Sequence, residues 1–247
     1  MNNNIITAII LAAGMGTRLH PLTNTVPKPL VEVAGKPLLA YTIGFARRAG
    51  ANRIIAVTGH QADLVERVAR GIDKDITFFY NEHYRNKKSL HAAGIFNQVD
   101  GDFLLMNADH IYRLSVAERV RNQMGNGIVA FTDTDRELGD DDMKVESDDS
   151  GAHIRNIAKG LKRFSHGYVG MTYCQAEYLP RYRQAAASAQ KRYGDAGVLE
   201  CVLQELAGQG ERIRLGDISG HGWHEVDFPE EKDIAEAAVR ANPDLYA

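Results

Sequence analysis

The segment Ile5-Ile6-Thr7-Ala8-Ile9-Ile10-Leu11 is apolar and rich in β-branched residues, and it breaks directly into Ala12-Ala13-Gly14-Met15-Gly16-Thr17-Arg18. A short run without polar alternation fits a strand buried on both faces, as in a parallel sheet covered by helices. The pattern recurs downstream. Pro37 opens a helical segment to about residue 49, and residues 53–58, 75–80 and 102–106 read as strands around helical segments at 61–70 and 89–97. Strands alternating with helical crossovers predict an α/β fold with its ligand site at the carboxyl ends of the strands. Three loops are thereby expected on one rim: Ala12 to Arg18, Gly59-His60-Gln61, and Asn107-Ala108-Asp109-His110.

Beyond residue 130 the character changes. Residues 133–142 form an acidic, polar excursion, followed by short strand candidates at 143–146, 153–158 and 168–173. Helices are expected at 175–190 and 196–206, then a strand at 223–226 and a helix opened by Pro229. At 247 residues with 44% apolar content, the chain can bury a core of its own, so one domain over 1–247 is expected, with 1–130 and 131–247 as its two halves. The net charge of −3 and the scattered basic residues argue against a nucleic-acid partner. No stretch approaches the roughly 20 apolar residues of a membrane span, and the first apolar run lacks a basic leader and a cleavage site. Cys174 and Cys201 read as buried thiols. A cytoplasmic location is the expectation.

The glycine loop carries the first chemical signal. Small residues let the backbone approach a ligand, and exposed loop amides receive phosphate oxygens. A dinucleotide fingerprint is missing, since the second strand ends in Thr58-Gly59-His60 without an acidic residue, and no Walker lysine follows the glycines. Arg18 and Lys28 bracket a stretch stiffened by Pro21, Pro27 and Pro29. They are either solvated surface bases or cations held in place to stabilise charge on a polyphosphate. Asp109 and Asp227 each follow a strand. Each is either a helix cap or half of a carboxylate pair suited to Mg²⁺.

Leu11-Ala12-Ala13-Gly14-Met15-Gly16-Thr17-Arg18-Leu19, followed by Pro27-Lys28-Pro29-Leu30, resembles the signature loop of the sugar-nucleotide pyrophosphorylase, or nucleotidyltransferase, family. The likeness continues through Asn107-Ala108-Asp109 and Trp223-His224-Glu225-Val226-Asp227. It implies a Rossmann-like three-layer αβα sandwich of the nucleotide-diphospho-sugar transferase type, with a mixed to parallel central sheet. It also implies that Leu11, Ala12, Ala13, Gly14 and Gly16 hold the nucleotide while Arg18 and Lys28 contact its phosphates. By the same likeness Asp109 and Asp227 hold a catalytic Mg²⁺, joined by Glu225, and Gly59, Asn81 and Ser89 lie on the side of the base and ribose.

The segment around residues 81–90 and the ending Trp223 to Pro229 look most like small cytidylyltransferases acting on phosphocholine, 2-aminoethylphosphonate or inositol phosphate. The expected partners are therefore CTP and a small phosphorylated acceptor. Lys159 resembles an acceptor-phosphate clamp, and Tyr112, Tyr168 and Trp223 are candidates to line the acceptor pocket, with core packing as the alternative. No role is assigned to His60 or His110. A sugar-1-phosphate nucleotidyltransferase using UTP, dTTP or GTP, a dehydrogenase, and a non-catalytic nucleotide-binding regulator are the competing readings. A monomer or a homodimer is expected.

Overall fold

The computed structural model describes residues 5–86 and 89–246. In chain order the first half contains β1 (Ile6–Leu11), a hairpin of β2 (Glu32–Val33) and β3 (Lys36–Pro37), α1 (Leu38–Arg48), β4 (Arg53–Thr58), α2 (Ala62–Ile72) and β5 (Thr77–Tyr80). It continues with a 3-10 segment (Ser89–Gln98), β6 (Asp102–Asn107), β7 (His110–Tyr112), α3 (Leu114–Gln123) and β8 (Ile128–Asp133). The second half adds β9 (Lys144–Ser147), β10 (Ile154–Ala158), β11 (His166–Cys174), α4 (Leu179–Tyr193), α5 (Cys201–Gly208), β12 (Ile213–Asp217), β13 (Trp223–Glu225) and α6 (Pro229–Ala241).

Among the described residues the main sheet has nine strands. β6, β1, β4 and β5 are parallel neighbours, β11 joins β6 antiparallel, and β8 and β9 both pair with β11. β12 lies parallel to β8, and β10 closes the other edge on β9. The expected mixed α/β sandwich is therefore present. Alternation along β1 explains its two faces: Ala8, Ile10 and Ala12 pack toward Ile43 and Phe45 of α1, Val65 of α2 and Val120 of α3. Ile9 points the other way, into the layer of Phe96, Tyr182 of α4 and Leu203 of α5. A third apolar cluster seats α6, with Ala235 and Val239 against Val33, Tyr41, Ile111 and Val226.

Several expectations shift. Residues 89–97 wind as a 3-10 helix, the helix expected at 175–190 begins at Leu179, and that expected at 196–206 begins at Cys201. The sequence pattern does not mark α3, β8 or β12. Cys174 is buried, Cys201 is partly so, and both are free; burial pushes both thiols up. Among the described residues no helix is long and apolar enough to cross a membrane.

The parallel and antiparallel parts of the sheet are joined by a buried carboxylate. Asp102, at the start of β6, accepts hydrogen bonds from the Tyr173 hydroxyl at 2.5 Å and from the Ala176 amide at 2.8 Å. Asp102→Ala strands both donors and is expected to reduce the unfolding free energy by about 2–4 kcal/mol, against about 1–2 kcal/mol for Tyr173→Phe. Urea unfolding of both variants checks this, and losses no larger than those of a surface substitution would refute it.

Candidate active site

Parallel pairing carries Leu11 alongside both Val57 and Asn107, so the loops leaving β1, β4 and β6 emerge on one edge of the sheet. They open onto a cleft of about 970 Å³. The glycine loop, Asn81, Tyr84, Ser89, residues 139–143, Lys159, Tyr168 and Glu200 line it. Gly14 is exposed, and nothing lies within 4 Å of the position a Cβ would take there. Gly16 is a different case. It takes the left-handed backbone (φ +67°) that opens the 3-10 turn Thr17–Leu19, and a Cβ would stand 2.6 Å from Cβ of Lys28. The Thr23 hydroxyl holds this turn by donating to the Gly16 carbonyl at 2.7 Å.

A second, two-stranded sheet brings the carboxylates together. β13 pairs antiparallel with β7, placing Glu225 opposite His110, and the Val226 amide donates to the Asp109 carbonyl at 3.0 Å. Asp109, just before β7, and Asp227, just after β13, thereby become neighbours. Neither caps a helix. A strand follows Asp109, and the side chain of Asp227 turns to the cations while Glu231 accepts the amides of Asp227 and Phe228 at 2.7 and 3.1 Å.

The Lys28 ammonium donates to Asp109 Oδ2 at 2.5 Å and to Asp227 Oδ1. Arg18 Nη2 lies 2.5 Å from the other oxygen of Asp227. Burial opposes the charge of Lys28, but the two aspartates override it and hold the ammonium above its ordinary value. Burial also opposes the charge of Asp109, yet Lys28 and His110 hold its carboxyl well below the usual range. His110 Nδ1 is 2.6 Å from Asp109 Oδ1, and against the effect of burial this carboxylate raises the imidazole. Glu225 is pushed up, first by burial and then by the negative charge of Asp109 and Asp227 against His110.

Asp109, His110 and Glu225 each bring a ligand atom within 4.8 Å of the others, a candidate metal-coordinating cluster. The donor chemistry fits a divalent cation, since two carboxylates and an imidazole converge from two paired strand ends, with a third carboxylate, Asp227, beside them. His110, to which the sequence assigns no role, joins this cluster beside its chain neighbour Asp109. Its plane stacks on Trp223 at 5.0 Å and 5°, which fixes the ring.

Other expected residues fall in two groups. Leu11, Ala12, Ala13, Gly14, Gly16, Arg18, Lys28, Asn81, Ser89, Lys159 and Tyr168 all border the cleft. The Asn81 side chain accepts the His83 amide at 3.1 Å and Ser89 Oγ accepts the Leu199 amide at 2.8 Å, so both brace the wall. Gly59, Tyr112 and Trp223, by contrast, are not among the described residues that line it. Gly59 is buried where a Cβ would stand 2.5 Å from Cβ of Tyr84, so it acts by letting Tyr84 approach. Tyr112 is 1% exposed and donates to the Val169 carbonyl at 2.6 Å; Trp223 donates its indole N–H to Asp133 at 2.5 Å. Both are core residues behind the carboxylates, the alternative that their apolar surroundings favour. Glu200, whose carboxyl burial pushes up, and Asp141 border the cleft without having been singled out.

Comparison with known proteins agrees with this geometry. The family described as Nucleotidyl transferase matches residues 7–138. The CMP-5'-(3-aminopropyl)phosphonate synthase of Streptomyces rubellomurinus is 27% identical, over 96% of this chain and 39% of its own. The UTP--glucose-1-phosphate uridylyltransferase AglF of Haloferax volcanii is 35% identical over 47% of this chain and 48% of its own. The chain thus spans half or less of the length of these curated relatives. Among solved structures, the inositol-1-phosphate CTP transferase from T. maritima superposes with a TM-score of 0.76 at 20% identity, covering 94% of each chain, a likeness of fold. With the family matching more than half of its length and the loop, cations and carboxylates gathered in one cleft, the chain belongs to the nucleotidyl transferase family.

Proposed function

We propose that this chain is a magnesium-dependent cytidylyltransferase that moves CMP from CTP to a small phosphorylated alcohol or phosphonate and releases pyrophosphate. The observation that carries the reading is the meeting of Lys28 with Asp109 and Asp227, next to Arg18 and the open backbone at Gly14. In this reading residues 1–130 serve the nucleotide and 131–247 the acceptor, and the glycine-loop amides and Arg18 cradle the triphosphate. Mg²⁺ bound by Asp109 and Asp227, with Glu225 beside them, would neutralise charge on the phosphates, as hard oxygen donors suit.

An acceptor phosphate oxygen then attacks the α-phosphorus in line, and the bond to the bridging oxygen breaks as pyrophosphate leaves. No protein nucleophile is needed. Lys28, Arg18 and Lys159 contribute alignment and positive charge. The relative named for an aminopropylphosphonate supports CTP with a phosphonate or phosphate-ester acceptor. The uridylyltransferase relative, more similar over a shorter stretch, supports the second reading, a sugar 1-phosphate with UTP.

Pyrophosphate release, measured with Mg²⁺ over a grid of nucleotides against phosphocholine, 2-aminoethylphosphonate, inositol 1-phosphate and hexose 1-phosphates, tests both. Turnover in a CTP row that stops on adding EDTA is expected; turnover confined to UTP with a hexose phosphate would sink the cytidylyl reading. Lys28→Met is expected to lower kcat by about 10²–10³-fold, as for removal of other transition-state charge donors. Gly16→Ala displaces the Lys28 stem, and a shift of order 1 Å corresponds to a loss of about 10²-fold in the same assay. Near-wild-type turnover in Gly16→Ala would show that the turn does not position Lys28.

A further inference from the structure

The excursion between β8 and β9 is held over the cleft from both ends. At its root the Arg136 guanidinium lies 4.0 Å over the Trp223 ring, 3.7 Å from carboxylate oxygens of Asp133 and Asp142 and 3.8 Å from Glu225. At its tip the Gly139 amide donates to Asp142 at 2.7 Å, and the Lys144 ammonium donates to the Gly139 carbonyl and, at 3.1 Å, to that of Lys159. Between these anchors stands Asp141. One of its oxygens is 3.0 Å from Arg18 Nη1 and the other 3.5 Å from Lys159 Nζ.

A single carboxylate thus bridges the cation assigned to the nucleotide phosphates and the cation assigned to the acceptor phosphate. In the in-line reaction these two groups must meet at one point. The geometry points to Asp141 as an internal stand-in for the acceptor phosphate, which marks where that phosphate binds between Arg18 and Lys159 and yields the place when it arrives. This rests on the nucleotidyl-transfer reading.

Exposure supports the exchange. The side chain of Asp141 is 72% exposed, with Arg18 at 44% and Lys159 at 45%, so the pairs are solvated and weak. Lys159 and then Arg18 hold the Asp141 carboxyl below its usual range, so it carries its charge at neutral pH. A phosphate presents more charge and more acceptor oxygens to the same two donors, and it prevails. Lys28, at 12% exposure between two partly buried aspartates, takes no part in the exchange.

The test is calorimetric binding of inorganic phosphate to the full chain. Asp141→Asn keeps the shape and removes the competing charge, and phosphate is expected to bind about fivefold more tightly. Glu137→Gln removes the same charge from an exposed position of the same excursion and is expected to shift affinity less than about twofold. Adding Lys159→Ala to Asp141→Asn is expected to abolish the gain. Unchanged or weaker binding by Asp141→Asn, or an equal gain in Glu137→Gln, overturns the stand-in role alone. A wild-type chain that binds neither phosphate nor pyrophosphate and turns over no nucleotide overturns the reading beneath it as well.

Discussion

The pairing of β13 with β7 is the constraint from which the site follows. The two strands are three residues each and separated by more than a hundred positions, yet their register decides that Asp109 and Asp227 lie side by side. Two carboxylates so placed repel, and the repulsion grows as water is removed. Lys28 resolves it, and its own burial is tolerable only because both aspartates face it. Carboxylate pair and lysine are thus mutually dependent, and the turn at Gly16 that supports the Lys28 stem belongs to the same unit.

The sheet supplies two different walls for this unit. Its parallel part, β6-β1-β4-β5, sends every strand's carboxyl end to one edge, which is why the glycine loop, Asn81 and Asp109 share a rim. At β11 the direction reverses. From there β9, β10 and the long excursion before them can project residues 139–143 and Lys159 back across the same edge. A uniformly parallel sheet would need a helical crossover at each step, whereas antiparallel neighbours leave room for a second wall made of loops and short strands.

What was legible in the sequence was what local chemistry decides. The apolar β-branched run of β1, the glycine break after it and the Pro-Lys-Pro stretch each signal their conformation within a few residues, and the loops after β1 and β6 border one cleft while Gly59 after β4 does not. Long-range pairing was not legible. β8 reads as apolar as β1 but meets its partners β11 and β12 dozens of residues later, and β12, IRLGD, offers only a weak period. The aromatic residues misled for a related reason: Tyr112 lies two residues beyond His110 and Trp223 two before Glu225, on the same face of the small sheet, yet their rings stack inward behind His110 as part of the core. Asp141 looked like one more solvated charge, because only the folded excursion brings it to Arg18 and Lys159.

The cations of the cleft are graded by exposure, and the grading divides their work. Lys28 is 12% exposed and paired with two carboxylates, so its ammonium is fixed in place beside them. Arg18 reaches from the same Asp227 outward to Asp141, and Lys159 lies farther out still, both nearly half exposed. Water screens these outer pairs and leaves them exchangeable. Arg18, which touches both Asp227 and Asp141, therefore links the exchangeable outer pairs to the fixed inner one.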